Sequence, residues 1–169
     1  MQTDILETSV AARAIIALGS NLGDRRQTIE TAVQRLASAA GKLVAVSDLI
    51  ETAAWIHPDD DSTWHPPFLN GVAIYDSELS PHRLLAVLLD VERSLGRKRG
   101  KETKAWQPRT IDLDLIAVGA LVADTPDLTL PHPRMHERDF VLRPLVQIWP
   151  DWCHPILNKS AAKLLNELS

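Results

Sequence analysis

Pro108-Arg109-Thr110-Ile111-Asp112-Leu113-Asp114-Leu115 alternates apolar and acidic residues directly after an arginine. In an extended chain successive side chains point to opposite faces, so Ile111, Leu113 and Leu115 form one apolar row. Asp112 and Asp114 share the other face, with Cα atoms about 6.5–7 Å apart. The stretch therefore reads as a strand lying on a core, with two carboxylates on its far side. Such a pair is a half-site for Mg²⁺, which takes oxygen ligands and fills the rest of its shell with water and substrate phosphates. Paired aspartates on the wet face of an edge strand are also common as solubilising residues, and the surroundings have to separate the two readings.

Those surroundings are basic. Arg97, Lys98, Arg99, Lys101, Lys104 and Arg109 fall in one short segment opposed only by Glu102, although the chain as a whole carries a formal net charge of −4. A local basic cluster on an acidic protein suits a compact polyanion rather than a long nucleic acid, whose binding needs a spread-out basic surface. The chain has neither the G-x-x-x-x-G-K-[ST] phosphate loop nor G-x-G-x-x-G, so phosphates would have to be held by side chains and metal.

With 169 residues, 45% of them hydrophobic, the chain is long enough for one substantial core and short for two. We expect a loose tail over 1–13 and a single domain over 14–169. One cysteine, Cys153, allows no internal disulfide. Without an export signal or an apolar run of roughly 20 residues, the expectation is a cytoplasmic protein with no membrane partner.

Ala14–Leu18 reads as a buried strand ended by Gly19-Ser20-Asn21. A helix follows, with Asp24 as N-cap, Ile29, Val33 and Leu36 as its apolar stripe and Gly41 as its stop. Leu43–Ile50 and Phe68–Tyr75 read as strands. Ser80-Pro81 starts a second helix, because Ser caps free amides and Pro loses nothing at the first helical position. Leu84, Leu88, Val91 and Leu95 form its stripe, and Gly96 ends it. A charged loop over 97–109 leads to the strand Ile111–Val118. The order is βαββαβ, which predicts an α+β, ferredoxin-like core with a mostly antiparallel sheet and helices on one face. Beyond Val118 the proline-rich chain is expected to cross the sheet as an ordered loop before the segment Phe140–Ile148. Ser160–Leu168 reads as a closing amphipathic helix.

Trp106 through Leu115, WQPRTIDLDL, resembles the signature of 6-hydroxymethyl-7,8-dihydropterin pyrophosphokinases, enzymes of folate biosynthesis. Further matches follow in order: Ala17–Asp24 (ALGSNLGD), Phe68-Leu69-Asn70, Glu92, Leu95–Arg99 (LGRKR), Leu130–Met135 (LPHPRM) and Arg138-Asp139-Phe140. The resemblance spans roughly residues 14–155. It implies a ferredoxin-like core carrying additional elements, and an ATP-dependent diphosphotransferase that moves pyrophosphate from ATP to the pterin hydroxymethyl group, releasing AMP.

By the same resemblance Asp112 and Asp114 would hold two Mg²⁺ ions, and Arg97 and Arg109 would be catalytic, guanidinium forks being suited to bidentate phosphate contacts. Arg99, Thr129, His132 and Arg138 would contact ATP. Phe68 and Phe140 would sandwich the pterin, Asn70 would read its edge, the segment from Thr52 would offer backbone contacts and Trp106 would close over the site. A flat heterocycle offers faces to stack on and a donor–acceptor edge to read. Since aromatic residues make up only 5% of the chain, each ring is informative, although core packing is the competing role for every one of them. The expected partners are these two small substrates, with no nucleic acid, and a monomer is expected.

The chain departs from the family's common pattern at Ala53-Ala54, Asp127 and Pro133, and the 55–67 loop is long and acidic. His57, Asp59, Asp61 and His65 there have metal-ligand chemistry, but a hydrated loop is the simpler reading. Two other functions compete: a non-catalytic nucleotide- or pterin-binding module of the same fold, and a single-stranded RNA binder. The second is disfavoured by the acidic charge and by the lack of an aromatic-rich strand.

Overall fold

The computed structural model describes residues 11–54, 56–61, 64–100 and 108–169. Trp106, expected to close over the site, and Lys101 and Lys104 of the basic segment lie outside them. Four strands alternate with two helices in the expected order: β1 (Ala12–Ser20), α1 (Arg25–Ala39), β2 (Lys42–Val46), then β4 (Phe68–Ser77), α2 (Pro81–Ser94) and β5 (Asp112–Val118), with the short β3 (Ile50–Thr52) following β2. The strands lie side by side in the order β2-β4-β1-β5, with β3 also on β4. All pairings are antiparallel. This is the ferredoxin-like arrangement.

The helix boundaries follow local chemistry. Asp24 caps α1 by accepting from the Gln27 N–H at 3.1 Å, and Ser80 accepts from the Arg83 N–H at the start of α2, with Pro81 in the first turn. Beyond α2 the backbone needs a left-handed residue, and Gly96 supplies it with φ 88°.

Three expectations change. The strand expected over 43–50 is two strands, because the chain leaves the sheet at Ser47. There the Ser47 N–H donates to the Val72 carbonyl, and its hydroxyl accepts from the Val72 N–H. The polar side chain thus replaces one rung of the ladder and lets β3 start afresh. Second, the proline-rich stretch is not simply a loop. It contains a hairpin, β6 (Ala123–Thr125) and β7 (Leu128–Leu130), whose Ala123, Leu128 and Leu130 are buried in the core.

Third, helices cover both faces of the sheet. Ala14, Ile16 and Leu18 of β1 join Leu113 and Leu115 of β5 beneath α1 and α2. Ile15, Val72, Ile74 and Ile116 point the other way, onto α3 (Asp139–Ile148) and α4 (Ala161–Leu168). The continuous apolar run Ala14–Leu18 made this second layer necessary, since a strand without alternation must be covered on both sides. The segment expected to begin at Phe140 is α3, with Pro144 inside it. The terminal helix is α4, capped by Ser160.

Candidate active site

The α3/α4 layer covers only part of its face of the sheet. Towards the end of β1, residues of the same parity line an open cavity of about 790 Å³: Ala17 and Gly19 from β1, Phe68 and Asn70 from β4, and Asp112 and Asp114 from β5. The strand alternation that buries Ile116 under the helices thus turns the two aspartates into the cavity. His132, Arg134, Arg138 and Phe140 close the side nearest α3, and Arg97, Lys98, Arg99, Pro108 and Arg109 close the opposite rim.

The acidic pair is embedded in arginines. Asp112 receives Arg97 Nη1 at 2.5 Å on Oδ1 and Arg109 Nη1 at 3.1 Å on Oδ2. Asp114 lies 3.5 Å from Arg138 Nη1. Burial, then the charge of Asp112, push the Asp114 carboxyl up to about 6 against the opposing pull of Arg138. Burial and the neighbouring carboxylate thus outweigh the nearby guanidiniums at Asp114, so its charged form is disfavoured there. Among the described residues no group of three or more His, Cys, Asp or Glu side chains could hold a metal, so the pair is at most a half-site. In the acidic loop His65 pairs with Asp60 at 2.8 Å and His57 with Asp59 at 3.6 Å.

His132 follows β7, where its N–H donates to the Ile116 carbonyl at 2.7 Å. Its Nδ1 accepts from the Arg134 N–H at 3.2 Å, so a neutral ring carries its proton on Nε2. Burial, then the Arg138 and Arg134 charges, push the imidazole down to about 4. It is a neutral donor at neutral pH.

Two aromatic rings, Phe68 and Phe140, line the same cavity. Each carries a guanidinium beside it: Arg109 at 6.0 Å from the Phe68 centroid and Arg138 at 5.7 Å from that of Phe140. Asn70, 6% exposed, donates its amide to Thr52 Oγ1 at 2.6 Å. Thr52 reaches this position because it pairs with Phe68 across β3 and β4.

Of the residues singled out from sequence, Thr52, Phe68, Asn70, Arg97, Arg99, Arg109, Asp112, Asp114, His132, Arg138 and Phe140 meet in this one cavity. Thr129 does not: it is an exposed residue of the β6–β7 hairpin facing Asp124. Arg134 enters the wall without having been assigned a role.

Two polar residues behind the wall were also given none. Glu92 of α2 is 1% exposed; its signal was legible, for a glutamate four residues after Leu88 continues the stripe Leu84–Leu88 into the core. Asn21, 2% exposed, clasps Arg109. Its Oδ1 accepts from the Arg109 N–H at 2.7 Å, its own N–H donates to the Arg109 carbonyl at 3.2 Å, and Nδ2 donates to the Pro66 carbonyl at 3.1 Å. Nothing in the spacing announces that clasp, since its partners are distant in sequence.

The fold and cavity define a small α+β domain that brings an acidic pair, several arginines and two phenylalanine rings into one open space. The sequence model of the 7,8-dihydro-6-hydroxymethylpterin-pyrophosphokinase (HPPK) family matches residues 15–150, and the chain belongs to that family. A 2-amino-4-hydroxy-6-hydroxymethyldihydropteridine pyrophosphokinase of Methylorubrum extorquens is 45% identical over 141 residues, covering 82% of this chain and 84% of that protein. One from Synechocystis is 36% identical over 155 residues, covering 92% and 75%. A crystal structure of a doubly substituted variant of Plasmodium falciparum HPPK-DHPS with pterin and p-hydroxybenzoate shares the fold, with a TM-score of 0.73 at 14% identity over 94% of this chain. This chain spans 43% of that longer one.

Proposed function

We propose that the protein transfers pyrophosphate from ATP to the hydroxymethyl group of 6-hydroxymethyl-7,8-dihydropterin, giving AMP and the pterin diphosphate in folate biosynthesis. The observation that carries this reading is the junction of the two halves of the cavity. Asp112, Asp114, Arg97 and Arg109 form a polyphosphate end, and Phe68, Asn70 and Phe140 form a slot for a planar heterocycle, in one continuous space.

In this reading the hydroxyl oxygen attacks the β-phosphorus and gives up its proton to solvent, the bond from that phosphorus to the oxygen bridging the α-phosphate breaks, and AMP leaves. Such a transfer depends on in-line positioning and on cancelling charge. Asp112 and Asp114 would hold two Mg²⁺ ions, which when bound supply charge neutralisation to the phosphates. Arg97 and Arg109, now on Asp112, would exchange that carboxylate for phosphate oxygens as the cations take it over. Arg99, Arg134 and Arg138 add positive charge to the same wall, and His132 offers a neutral Nε2–H. Phe68 and Phe140 stack on the pterin and Asn70, oriented by Thr52, hydrogen-bonds its edge. Trp106 is assigned to cover the site, by resemblance alone.

A non-catalytic binding module is not favoured, because the acidic pair and both arginines of the transfer end are present. Among the described residues no helix is long and apolar enough to cross a membrane, and a monomeric cytoplasmic enzyme completes the proposal. The two hydrophobic clusters share one sheet, which supports a single domain.

Purified protein given Mg²⁺, ATP and hydroxymethyldihydropterin should form AMP and pyrophosphorylated pterin in equal amounts. Formation of ADP instead would reject the reaction.

A further inference from the structure

Glu92 lies outside the cavity wall yet organises it. It projects from α2, beneath the sheet, and its carboxylate reaches the free edge of β5. Oε1 accepts from the Leu113 N–H at 2.8 Å and from Arg97 Nη1 at 2.8 Å. Oε2 accepts from Arg99 Nε at 3.1 Å and Nη2 at 2.7 Å, a fork on one oxygen. The carboxylate is 1% exposed. A buried charge is tolerated only when it is paired and its lone pairs are filled, and here all four donors come from the strand and loop that make the polyphosphate end.

The position of Leu113 gives these bonds their meaning. Its N–H lies between Asp112 and Asp114, so the same carboxylate that fixes two arginines is tied to the backbone between the two acidic residues. Arg97 joins the groups from the other side, through Asp112 Oδ1 at 2.5 Å and the Ile111 carbonyl at 3.1 Å. Arginine side chains lose considerable rotamer entropy when ordered. Glu92 holds Arg97 and Arg99 in place before any ligand arrives.

We propose that Glu92 is a positioning residue for pyrophosphoryl transfer, a buried carboxylate that fixes Arg97 and Arg99 in register with Asp112 and Asp114. The proposal rests on the function given above. It differs from a purely structural role, in which Glu92 only satisfies the β5 edge and its loss lowers stability without touching turnover.

The test combines kinetics with a readout that needs no turnover. Glu92→Gln keeps the shape but removes the charge, and one amide oxygen cannot serve four donors. With thermal melts confirming a folded variant, kcat should fall by roughly 10²-fold, the penalty for reacting groups misplaced by about an ångström. KM for the pterin, whose slot is built by β4 and α3, should stay within about threefold. In the Arg97→Ala/Arg99→Ala background, Glu92→Gln should add less than about threefold, because residues acting as a unit are non-additive.

Independently, the wild-type Arg99 Nε–H should exchange slowly with solvent in ¹⁵N NMR, and the Glu92→Gln variant should lose that protection. An unprotected Arg99 Nε–H in the wild type overturns the proposal whether or not any variant folds. So does a folded Glu92→Gln enzyme with unchanged kcat, or a full multiplicative loss in the double-arginine background. Wild-type protein that forms no AMP but protects Arg99 in the Glu92-dependent manner would reject the reaction while leaving the positioning intact.

Discussion

Asn70 and Asp112 stand on either side of Gly19 at one level of the sheet: Gly19 pairs with Asn70 on β4 and with Asp112 on β5. Two strand spacings separate them, about 9.5–10 Å. The residue assigned to the pterin edge and one assigned to metal thus flank a position with no side chain, which leaves the floor between them open.

A Cβ at Gly19 would lie 3.1 Å from Asn70 Oδ1, 3.7 Å from the Phe68 ring and 3.8 Å from the Asp112 Cβ. Gly19→Ala should therefore displace Asn70 slightly and raise KM for the pterin about tenfold, equivalent to ~1.4 kcal/mol of binding. KM for ATP should change less. Steady-state kinetics with each substrate varied separately will distinguish the two; an unchanged pterin KM would show that the floor is not used.

Asp114→Asn should lower turnover by at least roughly 10²-fold while raising thermal stability. Because burial raises the folded-state pKa of this carboxyl from 3.8 to about 6, the folded protein binds more protons than the unfolded chain between those values. Wild-type stability attributable to this group thus falls as pH rises through that window and levels off above it. The variant's advantage in melting temperature should grow from pH 4 to pH 6 and then stay constant, as a series of thermal melts without metal will reveal.

His132 should remain neutral throughout the working range. With its pKa pushed down to about 4 from 6.5, the folded state binds fewer protons than the unfolded chain between those values, and this group costs stability as pH falls through that interval. Nitrogen-resolved NMR should show the Nε2–H tautomer with no titration step near pH 6.5.

Asn21 and Arg109 should share a kinetic signature. Arg109→Ala is expected mainly to lower kcat. Asn21→Ala releases the backbone clasp on Arg109 and removes the acceptor of a partly buried N–H, a loss of about 1 kcal/mol in stability by denaturant unfolding, with a smaller kcat loss in the same direction. Asn21→Asp keeps the acceptor for Arg109 but sets a carboxylate oxygen against the Pro66 carbonyl. It should preserve more kcat than the alanine variant, and the reverse order would remove Asn21 from the positioning of Arg109.

Legibility followed the range of the interactions. The caps Asp24 and Ser80, the stripe Leu84–Leu88–Val91 and the acidic alternation Asp112–Asp114 depend on neighbours within a turn or a pleat, so the sequence displayed them. The hairpin β6–β7 was read as a loop because its strands have three residues each, too few to show a period. The break at Ser47 depends on Val72, and the clasp at Asn21 on Arg109, so neither leaves a local signature.

The amino-acid order by itself determined the βαββαβ succession, the common face of Asp112 and Asp114 and the family resemblance, because periodicity and short motifs are properties of adjacent residues. Only the tertiary structure decided that α3 and α4 cover the second face and leave the cavity open beyond them, that Gly19 lies level with Asn70 and Asp112, and that Glu92 reaches around the edge of β5 to hold two arginines. Those relations arise from strand register and from hydrogen bonds between distant segments, which form only when hydrophobic burial on both sides of one sheet brings those segments together.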